Sequence, residues 1–268
     1  MRVVALCVLV LSGCTRRPAP ASPRLLLPHQ TDFSVANWGH NTWGYVDSLG
    51  NWVIDAQFET VGPFLEDAAV VSHAPQFWFL SIRPSYGFIK RSGEYLITPR
   101  FENARAFHGG LAAVQINKKW GFVDPSGRLA IPAQFDDVGE FGDWLAPAVT
   151  GGKGRNGDWG YIDKYGDWVI QPNLSGARAF SEDLAPAARG NVWGCIDLWT
   201  RKFAIEPRFA QVWEFQEGLA AAQEKGSSLR GYIDRSGAWK IPPRFGWALP
   251  FNHGRAVVQI PGDAKKHK

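Results

Sequence analysis

Cysteine is scarce in this sequence, with three residues among 268. Cys7 and Cys14 lie in the apolar N-terminal segment, which leaves Cys195 alone in the rest of the chain. A single cysteine cannot form an intramolecular disulfide, so a disulfide-stabilised fold is excluded. Cys195 takes a strand position that aromatic residues hold elsewhere in the chain, and we expect a buried, inert thiol there.

Long hydrophobic runs are also missing. The apolar stretch from Val3 to Leu11 is too short to cross a bilayer as a helix, which needs about 20 residues. It leads into Leu11-Ser12-Gly13-Cys14, which resembles a bacterial lipobox. Residues 1–14 are therefore predicted to be a lipoprotein signal peptide, with cleavage before Cys14 and lipidation of Cys14. An ordinary signal peptide and a cytosolic protein with an apolar start are the alternatives.

This interpretation places the mature protein in the cell envelope, attached to a membrane by its lipid anchor rather than spanning it. In a Gram-negative cell it would sit on the outer membrane or face the periplasm. Residues 15–36 are rich in proline and are predicted to form an extended tether, and residues 261–268 a basic tail.

A strong charge of either sign is absent as well. The chain has 29 basic and 25 acidic residues, and removal of Arg2 with the signal leaves 28 against 25, a net charge of +3. Three of these positive charges are lysines in the tail. The folded part is therefore nearly neutral, and the sequence predicts no nucleic-acid partner, which would require a clustered basic surface.

Motifs for catalysis or metal binding are not found. The six histidines are scattered, and the glycine-rich stretch 151–157 lacks the Gly-Lys-Ser/Thr ending of a phosphate loop. No metal or cofactor is predicted. Two carboxylates could serve a glycosidase. The candidates are Glu66-Asp67, Asp136-Asp137, Glu182-Asp183 and Glu217, and all but Asp136-Asp137 recur at one turn of a repeat, where solvated turns are expected.

The chain is largely one unit repeated six times. Units begin near residues 43, 86, 120, 159, 193 and 230, and the first residue of each is directly followed by glycine. An isoleucine comes eleven residues later (twelve in the fifth unit), a large apolar residue precedes it by two, and phenylalanines follow it. These spacings predict three strands per unit, with the aromatic positions in the core.

A turn motif joins the first two strands of most units. Asp124-Pro125-Ser126-Gly127 suits a type I turn followed by a left-handed glycine, and three other units have the same Asp and Gly. The fifth unit, at Asp197–Arg201, lacks the glycine and has one residue more, so that hairpin is predicted to close differently.

These units resemble the WG (KWG) repeat family of bacterial proteins, named for the Trp-Gly that opens each copy. The resemblance covers about residues 43–260, and it departs from the family pattern at Tyr86 and Arg230, which replace the tryptophan. It implies a non-catalytic repeat with no particular ligand.

The predicted fold is an all-β domain over residues 37–260, with six tandem repeats in a propeller-like ring or, alternatively, in an open β-solenoid. An extra strand is expected between Phe33 and Asn41. Insertions collect between units, at Ser72–Ser85 and Thr150–Asp158, where repeat proteins often bind partners. The candidate binding residues are Phe77, Trp78, Phe79, Arg83, Trp144, Lys153 and Arg155.

The sequence favours a non-enzymatic envelope lipoprotein that binds a protein partner as a scaffold or assembly factor. The alternative is a glycan or peptidoglycan binder that uses exposed aromatic residues such as Trp78 and Trp144. A glycoside-processing enzyme is the third hypothesis.

Overall fold

The regular structure of the protein is built from β-strands. The structure is a computed structural model, and it describes residues 27–31, 42–73, 85–151 and 158–261. A first strand, β1 (Leu27–Thr31), precedes the repeats. The first three units contribute β2 (Thr42–Val46), β3 (Trp52–Phe58), β4 (Thr60–Val61), β5 (Ala68–His73), β6 (Ser85–Lys90), β7 (Tyr95–Phe101), β8 (Asn103–His108), β9 (Leu111–Ile116), β10 (Lys119–Val123), β11 (Leu129–Phe135), β12 (Asp137–Val138) and β13 (Ala146–Thr150).

The last three units follow the same order. They contribute β14 (Asp158–Ile162), β15 (Trp168–Leu174), β16 (Gly176–Ala177), β17 (Leu184–Arg189), β18 (Val192–Asp197), β19 (Phe203–Val212), β20 (Leu219–Glu224), β21 (Arg230–Asp234), β22 (Trp239–Phe245), β23 (Trp247–Asn252) and β24 (Arg255–Gln259). Each unit thus has the three expected strands and a further strand of two to six residues between the second and third, which in the fifth unit is continuous with β19. The all-β fold and its six repeats are confirmed.

The sheets cross the boundaries between units. The four-stranded sheet β4-β5-β6-β7 takes two strands from the first unit and two from the second, and the sheets β8 to β11 and β12 to β15 repeat this arrangement. The strands β16 to β22 join two such sets in one sheet. Each unit therefore completes its hydrogen bonding only through its neighbours. Within the described residues no sheet is closed, which is compatible with both the ring and the solenoid.

Pairs of aromatic rings occupy the core of the units. The residue after each opening glycine packs on the second phenylalanine of its unit, and the ring centroids lie 4.8 or 4.9 Å apart. The pairs are Tyr45–Phe64, Phe88–Phe107, Phe122–Phe141, Tyr161–Phe180 and Tyr232–Phe251. In the fifth unit the thiol of Cys195 takes the place of the first ring, and Phe215 stays buried. The predicted core role of these positions is confirmed.

The position two residues before the isoleucine was assigned to the core, and this prediction is wrong for several units. Trp52 is 42% exposed, and Leu129 and Tyr95 are also exposed. Trp168 and Trp239 are half-buried, because each packs edge-on against a phenylalanine of the preceding unit, Phe135 and Phe209 respectively. This position therefore lies at the junction between units. Only Trp120 is buried among the seven tryptophans at repeat positions, which are Trp43, Trp52, Trp120, Trp159, Trp168, Trp193 and Trp239.

The predicted hairpin turns form as expected. Asp124 accepts hydrogen bonds from the backbone N–H groups of Ser126 and Arg128, and Gly127 has a φ of 81°. The Ser126 hydroxyl and these N–H groups hold the pKa of Asp124 below its usual range. The fifth hairpin closes differently, as predicted: Arg201 takes the left-handed conformation in place of glycine, with a φ of 59°.

Several predicted segments lie outside the described residues. These are the signal peptide with Cys14, most of the tether, the segment Phe33–Asn41 and nearly all of the tail. The strand β1 lies within the segment that the sequence assigns to the tether. In the described part of the chain, no helix is long and apolar enough to cross a membrane.

Candidate functional site

Two kinds of connection lie at opposite ends of the strands. The strand that opens each unit follows the connection from the preceding unit, where the two insertions occur, and it ends at the first hairpin turn. The strand before it runs antiparallel, with Ala68 opposite Lys90 and Ala146 opposite Ile162, so its preceding turn lies at the hairpin end as well. Trp144 is in such a turn. Trp144 therefore lies at the hairpin end of its strand.

A cleft lies at the hairpin end, between the third, fourth and fifth units. It has a volume of about 420 Å³ and a mostly apolar lining. Its lining residues are Trp144, Leu145, Asp163, Lys164, Tyr165, Val169, Leu198, Trp199 and Arg201. We refer to it below as the aromatic cleft.

Three exposed aromatic side chains from three different turns converge on this cleft. Trp144 is 63% exposed, Tyr165 84% and Trp199 70%. Tyr165 occupies the third turn position, where three other units have serine: Ser92, Ser126 and Ser236. Trp199 belongs to the enlarged fifth turn. Aromatic residues so exposed contribute little to the core, so their convergence indicates a binding surface.

The fifth turn also explains how the cleft is closed on one side. In four other units, the turn glycine lies against the isoleucine of the preceding unit, as Gly127 does against Ile97. Leu198 replaces that contact, being buried in the same apolar cluster as Ile170. The extra residue of this turn leaves Trp199 pointing away from the cluster, to the exposed side of the cleft.

Charged groups border the cleft. The Nζ of Lys164 donates to the carbonyl oxygen of Gly109 at 2.6 Å and lies 5.7 Å from the ring centroid of Trp144. Asp163 accepts backbone N–H groups of its own turn, from Tyr165 and Asp167, so its carboxylate stabilises the turn. Arg201 supplies a guanidinium to the lining. The cleft thus combines flat apolar surface with positive charge.

Arginine and tryptophan side chains stack elsewhere in the domain. The guanidinium carbon of Arg230 lies 4.3 Å from the ring centroid of Trp213 and 3.7 Å from that of Trp247. Arg178 in turn lies 5.1 Å from Trp193 and 5.7 Å from Trp213. A planar guanidinium can replace an aromatic ring in such a stack. This explains why Arg230 stands at a position that other units give to tryptophan.

The recurring carboxylates link neighbouring units. Glu66 accepts the backbone N–H groups of Gly109 and Gly110 in the next unit, at 2.6 and 2.9 Å. Glu182 and Glu217 accept those of Gly218 and Gly254 in the same way. Asp136 and Asp137 pair with Lys119 and Arg105. Each of these five carboxylates thus has a hydrogen-bonding or ion-pair partner within the domain. The described residues also contain no group of three or more His, Cys, Asp or Glu that could hold a metal ion.

Cys195 is buried, and burial raises the pKa of its thiol to about 12. We expect no reaction with a thiol reagent at pH 8 in the folded protein, because the thiolate is the reactive form. The same shift should lower the free energy of unfolding as the pH rises above about 9, where the unfolded thiol ionises and the folded one does not. A Cys7→Ser, Cys14→Ser variant checks this: one thiol should react in urea and none without it. Rapid labelling of the folded protein would contradict the buried position.

Only one of the predicted binding residues can be placed. Trp144 lines the aromatic cleft, whereas Phe77, Trp78, Phe79, Arg83, Lys153 and Arg155 lie outside the described residues. The sequence prediction missed Tyr165 and Trp199. The sequence contained a signal for both residues. Each departs from the repeat pattern at a turn, where a large aromatic residue has no structural role.

The model of the WG containing repeat matches this chain at residues 43–73, 86–120, 120–153, 159–192, 193–226 and 231–262. The chain belongs to the WG-repeat family. The resemblance seen in the sequence is thereby confirmed, and the departures at Tyr86 and Arg230 do not remove those units from the match. No curated protein sequence matches the chain.

Among solved structures, this WG-repeat protein is similar to several at low identity. The AztD protein of Citrobacter koseri is 13% identical, with 84% of this chain and 70% of that chain covered and a TM-score of 0.45. A streptogramin B lyase is 10% identical, covering 88% and 95%, with a TM-score of 0.45. A protein of unknown function from Bacteroides caccae is 16% identical, covering 82% and 93%, with a TM-score of 0.35. Likenesses this distant carry no functional argument.

Proposed function

We propose that this WG-repeat protein is a non-enzymatic binding module of the cell envelope, and that it holds a segment of a partner protein in the aromatic cleft. The convergence of Trp144, Tyr165 and Trp199 from three separate turns carries the proposal. Lipidation at Cys14 would keep the module at a membrane surface, where it acts as a scaffold or assembly factor.

The composition of the cleft supports a protein ligand. Aromatic residues and arginine are enriched where proteins bind one another, and a few such residues supply most of the binding free energy. The lining is mainly apolar, and Lys164 and Arg201 add positive charge. A partner segment with apolar side chains and a carboxylate would complement both features.

The use of the carboxylates supports a non-enzymatic role. Glu66, Glu182 and Glu217 each accept backbone N–H groups of the next unit, so they stabilise the stacking of units. A glycosidase would instead need an acid and a second carboxylate on opposite sides of one substrate. The aromatic cleft contains one carboxylate, that of Asp163.

A glycan is the second candidate ligand, because the indole rings of Trp144 and Trp199 are flat and exposed. Sugar rings present an apolar face that can pack on such surfaces. Arginine and lysine at the border could hydrogen-bond hydroxyl or carboxylate groups of the glycan.

A photo-crosslinking experiment tests the protein ligand. A benzophenone amino acid is placed at Tyr165, or at Leu49, which holds the same turn position in the first unit and is also highly exposed to solvent. We expect a defined envelope protein to be captured in cells through position 165 and not through position 49. Trp144→Ala and Trp199→Ala should each raise the Kd of that partner, once purified, by about tenfold or more.

Two results would change this proposal. Identical crosslinks from positions 165 and 49 would show that the aromatic cleft has no specific partner. Binding to a glycan array that Trp199→Ala abolishes, without any protein crosslink at position 165, would favour the second candidate.

A further inference from the structure

The two ends of the repeat array are paired differently from every internal boundary. At five boundaries the last strand of one unit pairs with the opening strand of the next, as β5 does with β6 and β20 with β21. At the ends, and among the residues that the structure describes, β24 is in a two-stranded sheet with β23 alone, and β2 pairs with β1 on the edge that would receive such a strand. The strand pair that would join the last unit to the first is thus not formed in the described residues, although both strands, β24 and β2, are present.

The register of the internal boundaries shows which residues β24 would bring to β2. Opposite the glycine of each opening strand lies a small apolar residue of the preceding unit. These pairs are Val71–Gly87, Val114–Gly121, Ala148–Gly160, Ala187–Gly194 and Ala222–Gly231. In the last unit, Phe251 pairs with Ala256 as Phe107 does with Ala112, which places Val258 at this position. At present His29 of β1 lies opposite Gly44.

The third strand of the last unit is exposed at positions that are buried in other units. Val257 is 70% exposed and Ile260, just past β24, is 78% exposed. Ala113 and Ala221, which correspond to Val257 in the third strands of two other units, are buried. A two-stranded hairpin with a free, apolar edge is marginally stable in water, and natural proteins usually cover or charge such an edge. No described strand pairs with this edge of β24 as the next unit's opening strand does at the internal boundaries.

The side-chain contacts that join neighbouring units are also incomplete at the two ends of the repeat array. Arg100 and Arg208 donate to the carbonyl oxygens of Gly127 and Gly237 in the next unit's turn, at 2.5 and 2.6 Å. Arg244 has the same place in the last unit. The turn it would meet, at Gly50, has no described atom within 4 Å of where a Cβ would lie, whereas Gly93, Gly127, Gly166 and Gly237 each lie against an isoleucine.

We propose that the edge of β2 is a binding surface for the chain's own last strand. In this arrangement β24 replaces Leu27–Thr31 on β2, with Val258 opposite Gly44 and Ile260 opposite Thr42. Ile241 and Arg244 then contact the turn at Gly50, and the six units close into a ring. Closure buries Val257 and Ile260, which favours the pairing of β24 with β2. β1 and β24 are thus alternative partners of one strand edge.

Disulfide trapping tests this exchange. In a full-length Cys7→Ser, Cys14→Ser background, Thr42→Cys is combined with either Ile260→Cys or Thr31→Cys. Residues directly opposite on antiparallel strands have Cα atoms about 4.5–5.5 Å apart, within the range for a disulfide. We expect mild oxidation to give an intramolecular disulfide between positions 42 and 260 in most molecules. The 42–31 pair reports the alternative arrangement.

The outcomes separate three arrangements. Complete oxidation of the 42–31 pair with no 42–260 product would overturn the proposal. A 42–260 product that runs as a covalent dimer would also overturn it, and would identify a second copy as the partner of β24.

Removal of the competitor provides a second measurement that does not depend on oxidation. Deletion of residues 27–31 should raise the rate at which the 42–260 disulfide forms severalfold and slow hydrogen exchange at the amides of Val257 and Gln259. Val258→Asp should reverse both effects, because it places a charge opposite Gly44. Hydrogen exchange in β24 that stays fast after the deletion would contradict closure of the ring. This conclusion does not depend on whether the aromatic cleft binds a partner.

Discussion

Gly194→Ala is expected to lower the free energy of unfolding by about 3 kcal/mol, the upper range for an overpacked site. A Cβ at this position would lie 2.1 Å from the carbonyl oxygen of Ile205 and 2.7 Å from the nitrogen of Pro207. Both atoms belong to the backbone of β19, which is held in a sheet on both sides. The strand cannot move away without losing its hydrogen bonds to β18 or β20. The glycine of the Trp-Gly signature is thus required by close approach of two strands.

Urea unfolding followed by tryptophan fluorescence measures this effect. Gly246→Ala is the matched control, because the nearest described atom to a Cβ there is 3.7 Å away. Its free energy of unfolding should change by less than about 1 kcal/mol, since alanine also restricts the unfolded chain. Equal losses in the two variants would show that the contact with Ile205 is not what requires glycine.

Phe122→Ala is expected to cost about 3–5 kcal/mol, as for other large-to-small changes of buried aromatic residues. The ring of Phe122 is buried and packs on Phe141, with the centroids 4.8 Å apart. Its removal leaves a cavity between two sheet layers that neighbouring strands cannot fill without losing their register. The same unfolding titration measures the loss.

Phe122→Tyr is the matched variant for this site. Tyr45, Tyr161 and Tyr232 hold the same position in other units, and each hydroxyl donates to the carbonyl oxygen of the residue 17 positions later. In the third unit that residue is Gly139, the counterpart of Gly62, which accepts from Tyr45. We therefore expect Phe122→Tyr to change stability by no more than about 1 kcal/mol, the net value of one hydrogen bond. A loss as large as that of Phe122→Ala would mean that Gly139 does not accept the hydroxyl.

The limits of the sequence prediction are seen at particular positions. Trp52 and Ile54 are two residues apart in a strand and were both assigned to the core, yet only Ile54 is buried. The alternation predicts that they share a face, but not how far the neighbouring unit extends over that face. Trp168, in the corresponding position, is half-buried because Phe135 of the preceding unit covers it.

The sequence by itself determined the number of units, the hairpin turns, the phenylalanine positions of the core and the membership of the WG-repeat family. These features depend on residues close together in the chain, such as Asp124 and Gly127, or on spacings that recur in every copy. Only the tertiary structure decided that the sheets cross the internal boundaries between units and that Trp144, Tyr165 and Trp199 meet in one cleft. It also showed that β1 occupies the edge of β2. These features arise from pairing between units, and local patterns do not specify how far one unit turns relative to the next.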